Sequence, residues 1–124
     1  MTVRVLVADD QAPFRGAARA VVSTTPDFEL VGEASSGEEA LALVHRLRPD
    51  LVLMDITMPG LGGIHATRSI TSAHPETATV LLSTYREEDL PAEAHACGAV
   101  AYLHKASFDG SALRRLWRQS LSAR

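Results

Sequence analysis

The sequence predicts an α/β domain: a five-stranded parallel sheet, doubly wound in (βα)5 order. Three observations lead there. Five short apolar runs alternate with stretches whose apolar residues recur at helical spacing. The middle runs are apolar without alternation, as in strands buried on both faces. Acidic, hydroxyl and basic residues stand at the C-terminal ends of these runs, the edge where open α/β sheets carry their chemistry.

Val3–Ala8 reads as the first strand and ends in Asp9-Asp10. Pro13 suits the start of a helix, along which Phe14, Ala17, Ala18, Val21 and Val22 repeat at helical spacing. Ser23 to Asp27 breaks that helix. Phe28–Ala34 is a second strand whose polar alternation predicts a place nearer the sheet edge. Ser36-Gly37-Glu38-Glu39 has the capping-box pattern, with Ser36 accepting a backbone N–H and Glu39 reaching back. Ala40, Leu41, Val44 and Leu47 form the stripe of the second helix, which Arg48-Pro49 ends.

The third strand is the run Leu51-Val52-Leu53-Met54, bounded by Pro49 and Pro59 and closed by Asp55. Gly60 to Gly63 reads as a flexible loop, and Ile64 to about Ala73 as the third helix, stopped by His74-Pro75. Ala78–Leu82 is the fourth strand, followed by Ser83-Thr84-Tyr85. Leu90 to Cys97 reads as a short helix with Pro91 in its first turn and Gly98 as its C-cap. Val100–Leu103 is the fifth strand and runs into His104-Lys105. Asp109 to about Leu121 is the last helix, with Leu113, Leu116, Trp117 and Leu121 inward and Arg114, Arg115 and Arg118 outside the stripe.

At 124 residues, the chain is expected to be one domain with a single substantial core. A formal charge of −3 argues against binding nucleic acid by charge alone. A lone cysteine, Cys97, excludes an internal disulfide and reads as an inert buried thiol. The five histidines, at 45, 65, 74, 95 and 104, lack zinc-site spacing and read as surface or helix-face residues. The absence of a secretory signal or membrane span leads to an expectation of the cytoplasm. Lys105 is the only lysine.

In a parallel sheet all the strand ends fall on one edge, so Asp9, Asp10, Asp55, Ser83 and Lys105 converge. Singly, an acid there is a turn residue or helix cap and a lysine is a solvated surface group. Together, three carboxylates require a compensating cation, and an all-oxygen set suits Mg²⁺. A hydroxyl and an ammonium beside them suit the oxygens of a phosphoryl group, with Asp55 as its nucleophile.

The residues Val5–Asp10, Pro49–Gly60, Val80–Ser83 and Gly98–Lys105, in this order and at this spacing, resemble the receiver domain of bacterial two-component response regulators. The resemblance spans nearly the whole chain and implies a flavodoxin-like receiver fold. It implies Asp55 as phosphoacceptor, and Mg²⁺ held by Asp10, Asp55 and the backbone carbonyl of Thr57, with Asp9 helping through water. It implies Ser83 as the switch hydroxyl, Tyr102 as the switch aromatic and Lys105 as the phosphate partner. A sensor histidine kinase would be the phosphoryl donor, and the chain would catalyse only its own phosphorylation and dephosphorylation.

Glu29–Ala34 followed by Gly37–Ala40 is similar to receivers joined to a LuxR-type helix-turn-helix domain, the NarL/FixJ-like subfamily. Residues 1–124 would then be the receiver domain, with any DNA-binding effector domain beyond them and transcription as the output. Homodimerisation on activation is expected, through the first and fifth helices or the fourth-helix face; the Arg114, Arg115 and Arg118 face is otherwise a solvated one. The alternatives are a stand-alone receiver, a phosphorylation-independent interaction module, or a phosphatase-like enzyme or flavin carrier on the same architecture. Against a phosphatase, Thr57 stands where a second acid is expected.

Three positions depart from the family pattern. Thr84 follows Ser83 where a small residue is usual, so either could supply the hydroxyl. Ala106 follows the lysine where proline is frequent, which leaves the Lys105–Ala106 peptide geometry open. His104 occupies a strand position that is usually aliphatic.

Overall fold

A computed structural model, which describes residues 1–122, contains one five-stranded parallel sheet in the order β2-β1-β3-β4-β5. The strands are β1 (Val3–Ala8), β2 (Phe28–Ala34), β3 (Leu51–Asp55), β4 (Ala78–Ser83) and β5 (Ala101–His104). The helices are α1 (Ala12–Thr24), α2 (Gly37–Leu47), α3 (Gly63–Ala73) and α4 (Gly110–Ser122). The central strands β3 and β4 are buried along their whole length, whereas β2 at the edge is mostly half-buried, as its polar alternation predicts.

The sheet separates two apolar layers. Alternate side chains Val5, Val7, Leu51, Leu53, Val80 and Leu82 pack with Val22 of α1 and Leu113 and Leu116 of α4. The intervening Leu6, Val52, Met54 and Leu81 pack with Val44 of α2 and Ile70 of α3. That strict alternation is what a sheet covered on both faces demands. Strand order reverses between β1 and β3, so the loops after these two strands diverge and leave a crevice at their C-terminal ends.

The local signals behave largely as their chemistry dictates. Ser36 Oγ accepts from Glu39 N at 3.1 Å, the first half of the capping box. Glu39 reaches back one residue further than the pattern predicts, taking the N–H of Ser35 at 2.6 Å. Arg48, at φ 51°, ends α2 in the left-handed region. Ala17, expected in the α1 stripe, is exposed; Ala18 and Val22 carry the burial.

Three expectations are corrected. The stretch Leu90–Cys97 is not an α-helix: it makes only 3₁₀ turns, at Glu87–Asp89 and Ala92–His95. Leu90 and Pro91 are both extended, and a proline without an N–H cannot continue a helix through that point. Leu121 is 51% exposed, and Ser120 takes the inward position one helical turn after Leu116. The loop expected over Gly60–Gly63 is shorter by one residue, because α3 begins at Gly63; Glu38 Oε1 accepts from Leu61 N at 3.0 Å, and Gly63 N donates to Ile56 O at 3.0 Å. A Cβ at Gly63 would lie 2.0 Å from the carbonyl oxygen of Asp55, so only glycine lets α3 begin so close to the end of β3.

Candidate functional site

The loops at the β1/β3 crevice bring three carboxylates together. One oxygen each from Asp9, Asp10 and Asp55 lies within 4.8 Å of the others. Asp9 has no exposed surface, Asp55 is 5% exposed and Asp10 faces solvent. Burial on β1 and β3 holds the first two in place: Asp9 follows directly on Ala8, and Asp55 ends the fully buried β3. Asp9 is further tied through both its main chain and its side chain. Its Oδ1 accepts from Gln11 N at 2.8 Å, and its carbonyl accepts from Arg15 Nη1 at 2.7 Å.

Lys105 reaches into this cluster from the end of β5. Its Nζ lies 2.5 Å from Asp9 Oδ2 and 3.3 Å from Asp55 Oδ2. The ring of Phe14, with its centroid 4.8 Å from Nζ, covers the ammonium from the α1 side. The only lysine of the sequence is thus the ammonium facing the acids. Thr57 N donates a long hydrogen bond to Asp55 Oδ1, at 3.3 Å.

Charge and burial together perturb Asp55. Its pKa rises from 3.8 to about 6, first because burial penalises the carboxylate and then because Asp9 is charged beside it. Lys105 and the Thr57 amide oppose the rise and do not cancel it. One ammonium is therefore insufficient compensation for the cluster.

The residues fit a hard divalent cation on these grounds. Asp9 Oδ2 is buried and makes no hydrogen bond of regular geometry, even though it is in ionic contact with Lys105. It stands among carboxylate oxygens close enough to share one ion. Beside them is a half-open cavity of about 190 Å³ lined by Asp10, Gln11, Asp55, Thr57, Thr84, Tyr85 and Lys105.

The two candidate hydroxyls diverge. Thr84 lines the acidic cavity. Ser83 is buried, its Oγ accepts from Tyr85 N at 2.9 Å, and it lines a neighbouring groove with Tyr102. Tyr102 is partly buried, and its hydroxyl donates to Ala94 O. Its ring packs 5.1 Å from that of His95, measured between centroids. Ser83 and Tyr102 therefore share a groove that opens beside the acidic cavity.

Gln11, Phe14 and Arg15 surround the site, and the sequence reading assigned none of them to it, placing Phe14 only in the apolar stripe of α1. The first turn after β1 must line the same sheet edge as Asp9 and Asp10, so their position in the chain could have flagged them. The Lys105–Ala106 peptide is trans, since no cis bond occurs among the described residues. Of the five histidines, expected at the surface or on helix faces, His74 is buried.

The response regulator receiver domain family model matches residues 5–117. The response regulator GacA of Pseudomonas viridiflava is 38% identical over 103 residues, which cover 83% of this chain and 48% of that protein. Among solved structures, a LuxR-family two-component response regulator from Aurantimonas sp. SI85-9A1 superposes with a TM-score of 0.87. It is 31% identical, over 100% of this chain and 88% of that one. The receiver domain of the response regulator NarL from Mycobacterium tuberculosis gives a TM-score of 0.83 at 30% identity, over 98% of this chain and 95% of that one. The chain spans about half the length of the curated relatives it matches. With a sheet of order β2-β1-β3-β4-β5 and carboxylates at its β1/β3 crevice, the chain belongs to the response regulator receiver domain family, on its NarL/FixJ-like branch.

Proposed function

We propose that this receiver is a phosphorylation switch in which Asp55 accepts a phosphoryl group from a sensor histidine kinase. The observation that carries the reading is the placement of Asp55: at the tip of β3, against two other carboxylates, with Lys105 Nζ 3.3 Å away and a cavity open in front. A carboxylate oxygen of Asp55 attacks phosphorus as the P–N bond to the donor histidine breaks, leaving the donor imidazole and an aspartyl phosphate. Asp9, Asp10, Asp55 and the carbonyl of Thr57 would hold Mg²⁺, whose charge lets the carboxylates stay ionised and offsets that of the incoming phosphoryl oxygens. Lys105 already touches Asp55 and pairs with a phosphoryl oxygen once the charge moves outward. The domain is a signalling module whose only chemistry is on itself.

The switch follows from the groove beside the site. Ser83 gives up the N–H of Tyr85 to donate its hydroxyl to the phosphoryl group. Its movement clears space for the ring of Tyr102, which must release Ala94 O to turn inward. A gap of a few kcal/mol between the two arrangements is enough for the phosphoryl charge to select the minor one. Thr84 is the second candidate for this hydroxyl, because it lines the acidic cavity itself.

The output reading rests on the relatives. We infer a homodimer on activation and a helix-turn-helix effector domain that carries transcriptional control, in a cytoplasmic protein. No helix among the described residues is long and apolar enough to cross a membrane. A stand-alone receiver would use the same switch without that domain. Acetyl phosphate with Mg²⁺ tests the switch itself: wild-type protein gains the mass of one phosphoryl group, and Asp55→Asn gains none. Equal gain by both proteins overturns the assignment.

A further inference from the structure

His104 lies directly opposite Ser83 in the β4/β5 register, on the groove that Ser83 and Tyr102 share. Its imidazole spans two segments of backbone. Nε2 is 2.9 Å from the carbonyl of Thr84, in the loop after β4. Nδ1 accepts from Ala106 N at 3.1 Å, capping the 3₁₀ turn Lys105–Ser107. A carbonyl can only accept and an amide can only donate, so the pair of contacts requires a neutral ring with its proton on Nε2. The other titratable groups that line the groove are Glu87, Tyr85 and Tyr102, and Lys105 adjoins the ring in the chain.

This arrangement meets a specific need. Lys105 must hold its ammonium between Asp9 and Asp55, yet the turn that carries it starts at an edge strand only four residues long. The peptide after Lys105 is trans and lacks a proline to stiffen it. The ring of His104 supplies the missing constraint from outside. It joins the lysine turn to the loop that carries Thr84 and Tyr85, both of which line the acidic cavity.

Resting on the reading of Asp55 as phosphoacceptor, we propose that His104 is a positioning residue for phosphoryl transfer: its neutral ring straps Thr84 O to Ala106 N and so sets the reach of Lys105. Protonation gives the ring two donors and no acceptor, which breaks the Ala106 half of the strap.

Three variants separate the two halves. In His104→Gln the amide nitrogen can take the place of Nε2 and keep the Thr84 tie. In His104→Asn the amide oxygen can take the place of Nδ1 and keep the Ala106 cap alone. His104→Leu keeps neither.

The assay is the rate of Asp55 phosphorylation by acetyl phosphate at saturating Mg²⁺, with Mg²⁺ affinity and melting temperature measured alongside. Losing the strap in His104→Leu slows the reaction about tenfold with Mg²⁺ affinity unchanged, and His104→Gln recovers to within about threefold of wild type. A wild-type rate in His104→Leu, or a glutamine variant no faster than leucine, overturns the proposal. An imidazole NMR spectrum of the wild-type protein showing the proton on Nδ1 overturns the strap whatever the phosphorylation result. A wild-type protein that takes up no phosphoryl group overturns the phosphoacceptor reading instead.

Discussion

Replacing Asp55 with asparagine should stabilise the metal-free protein, and the gain should depend on pH. The native carboxyl holds its proton more tightly than an unfolded one, with a pKa raised from 3.8 to about 6. Stability from this group is therefore greatest below the unfolded pKa, declines as pH rises toward 6, and is fully lost above it. A rise of this size corresponds to roughly 3 kcal/mol. The carboxylate fronts a half-open cavity, and solvent screening brings the figure to about 2 kcal/mol. Asparagine mimics the neutral acid and escapes the cost. Near neutral pH and without divalent cations, Asp55→Asn should melt about 5–10 °C above wild type. The difference should shrink toward zero at about pH 4, where both side chains are neutral. Circular-dichroism melts of both proteins across this range test it. A variant that is less stable than wild type at neutral pH, or a difference that does not change with pH, refutes the electrostatic reasoning.

Other perturbations give separate readouts. Mg²⁺ should raise the melting temperature of wild type by mass action, and Asp9→Asn or Asp10→Asn should remove most of that rise, as followed by thermal shift. Lys105→Ala leaves Asp9 and Asp55 without their ammonium, so it should destabilise the metal-free protein by about 3 kcal/mol near neutral pH in urea melts, with a smaller loss at low pH. Gly63→Ala drives a methyl against the Asp55 carbonyl, and should cost about 2–4 kcal/mol in the same assay. Ser83→Ala should still accept phosphoryl at Asp55 but lose the change at Tyr102. NMR shifts of β5 with and without beryllofluoride report this, and an unaltered Tyr102 response would transfer the hydroxyl's role to Thr84.

Much of this architecture was legible because it depends on burial. The uninterrupted Leu51–Met54 run and the polar alternation of Phe28–Ala34 distinguish a central strand from an edge strand, and both lie where that contrast predicts. The convergence of Asp9, Asp10, Asp55 and Lys105 follows from parallel strands alone, since all their C-terminal ends share one edge. Local competition was harder to read. Apolar spacing in Leu90–Cys97 suggests a helix, but Pro91 and the extended Leu90 divide it into separate 3₁₀ turns. Leu121 matches the helical stripe of α4 by hydrophobicity, yet the 3.6-residue period gives the inward place to Ser120. Ser83 and Thr84 are adjacent, yet Ser83 ends β4 and lines the Tyr102 groove while Thr84 opens the following loop and lines the acidic cavity. The two hydrogen bonds that tie His104 to separate backbone segments are a product of tertiary placement and leave no local signature.

The most direct test concerns which carboxylate becomes phosphorylated. Three compete within 4.8 Å, and only Asp55 ends the buried β3 in front of the cavity. Borohydride reduction of protein treated with acetyl phosphate and Mg²⁺ converts an aspartyl phosphate to homoserine, which peptide mapping can locate. Homoserine is expected at position 55 and at neither position 9 nor position 10. Homoserine at either of those positions, or at none of the three, would contradict Asp55 as the phosphoacceptor.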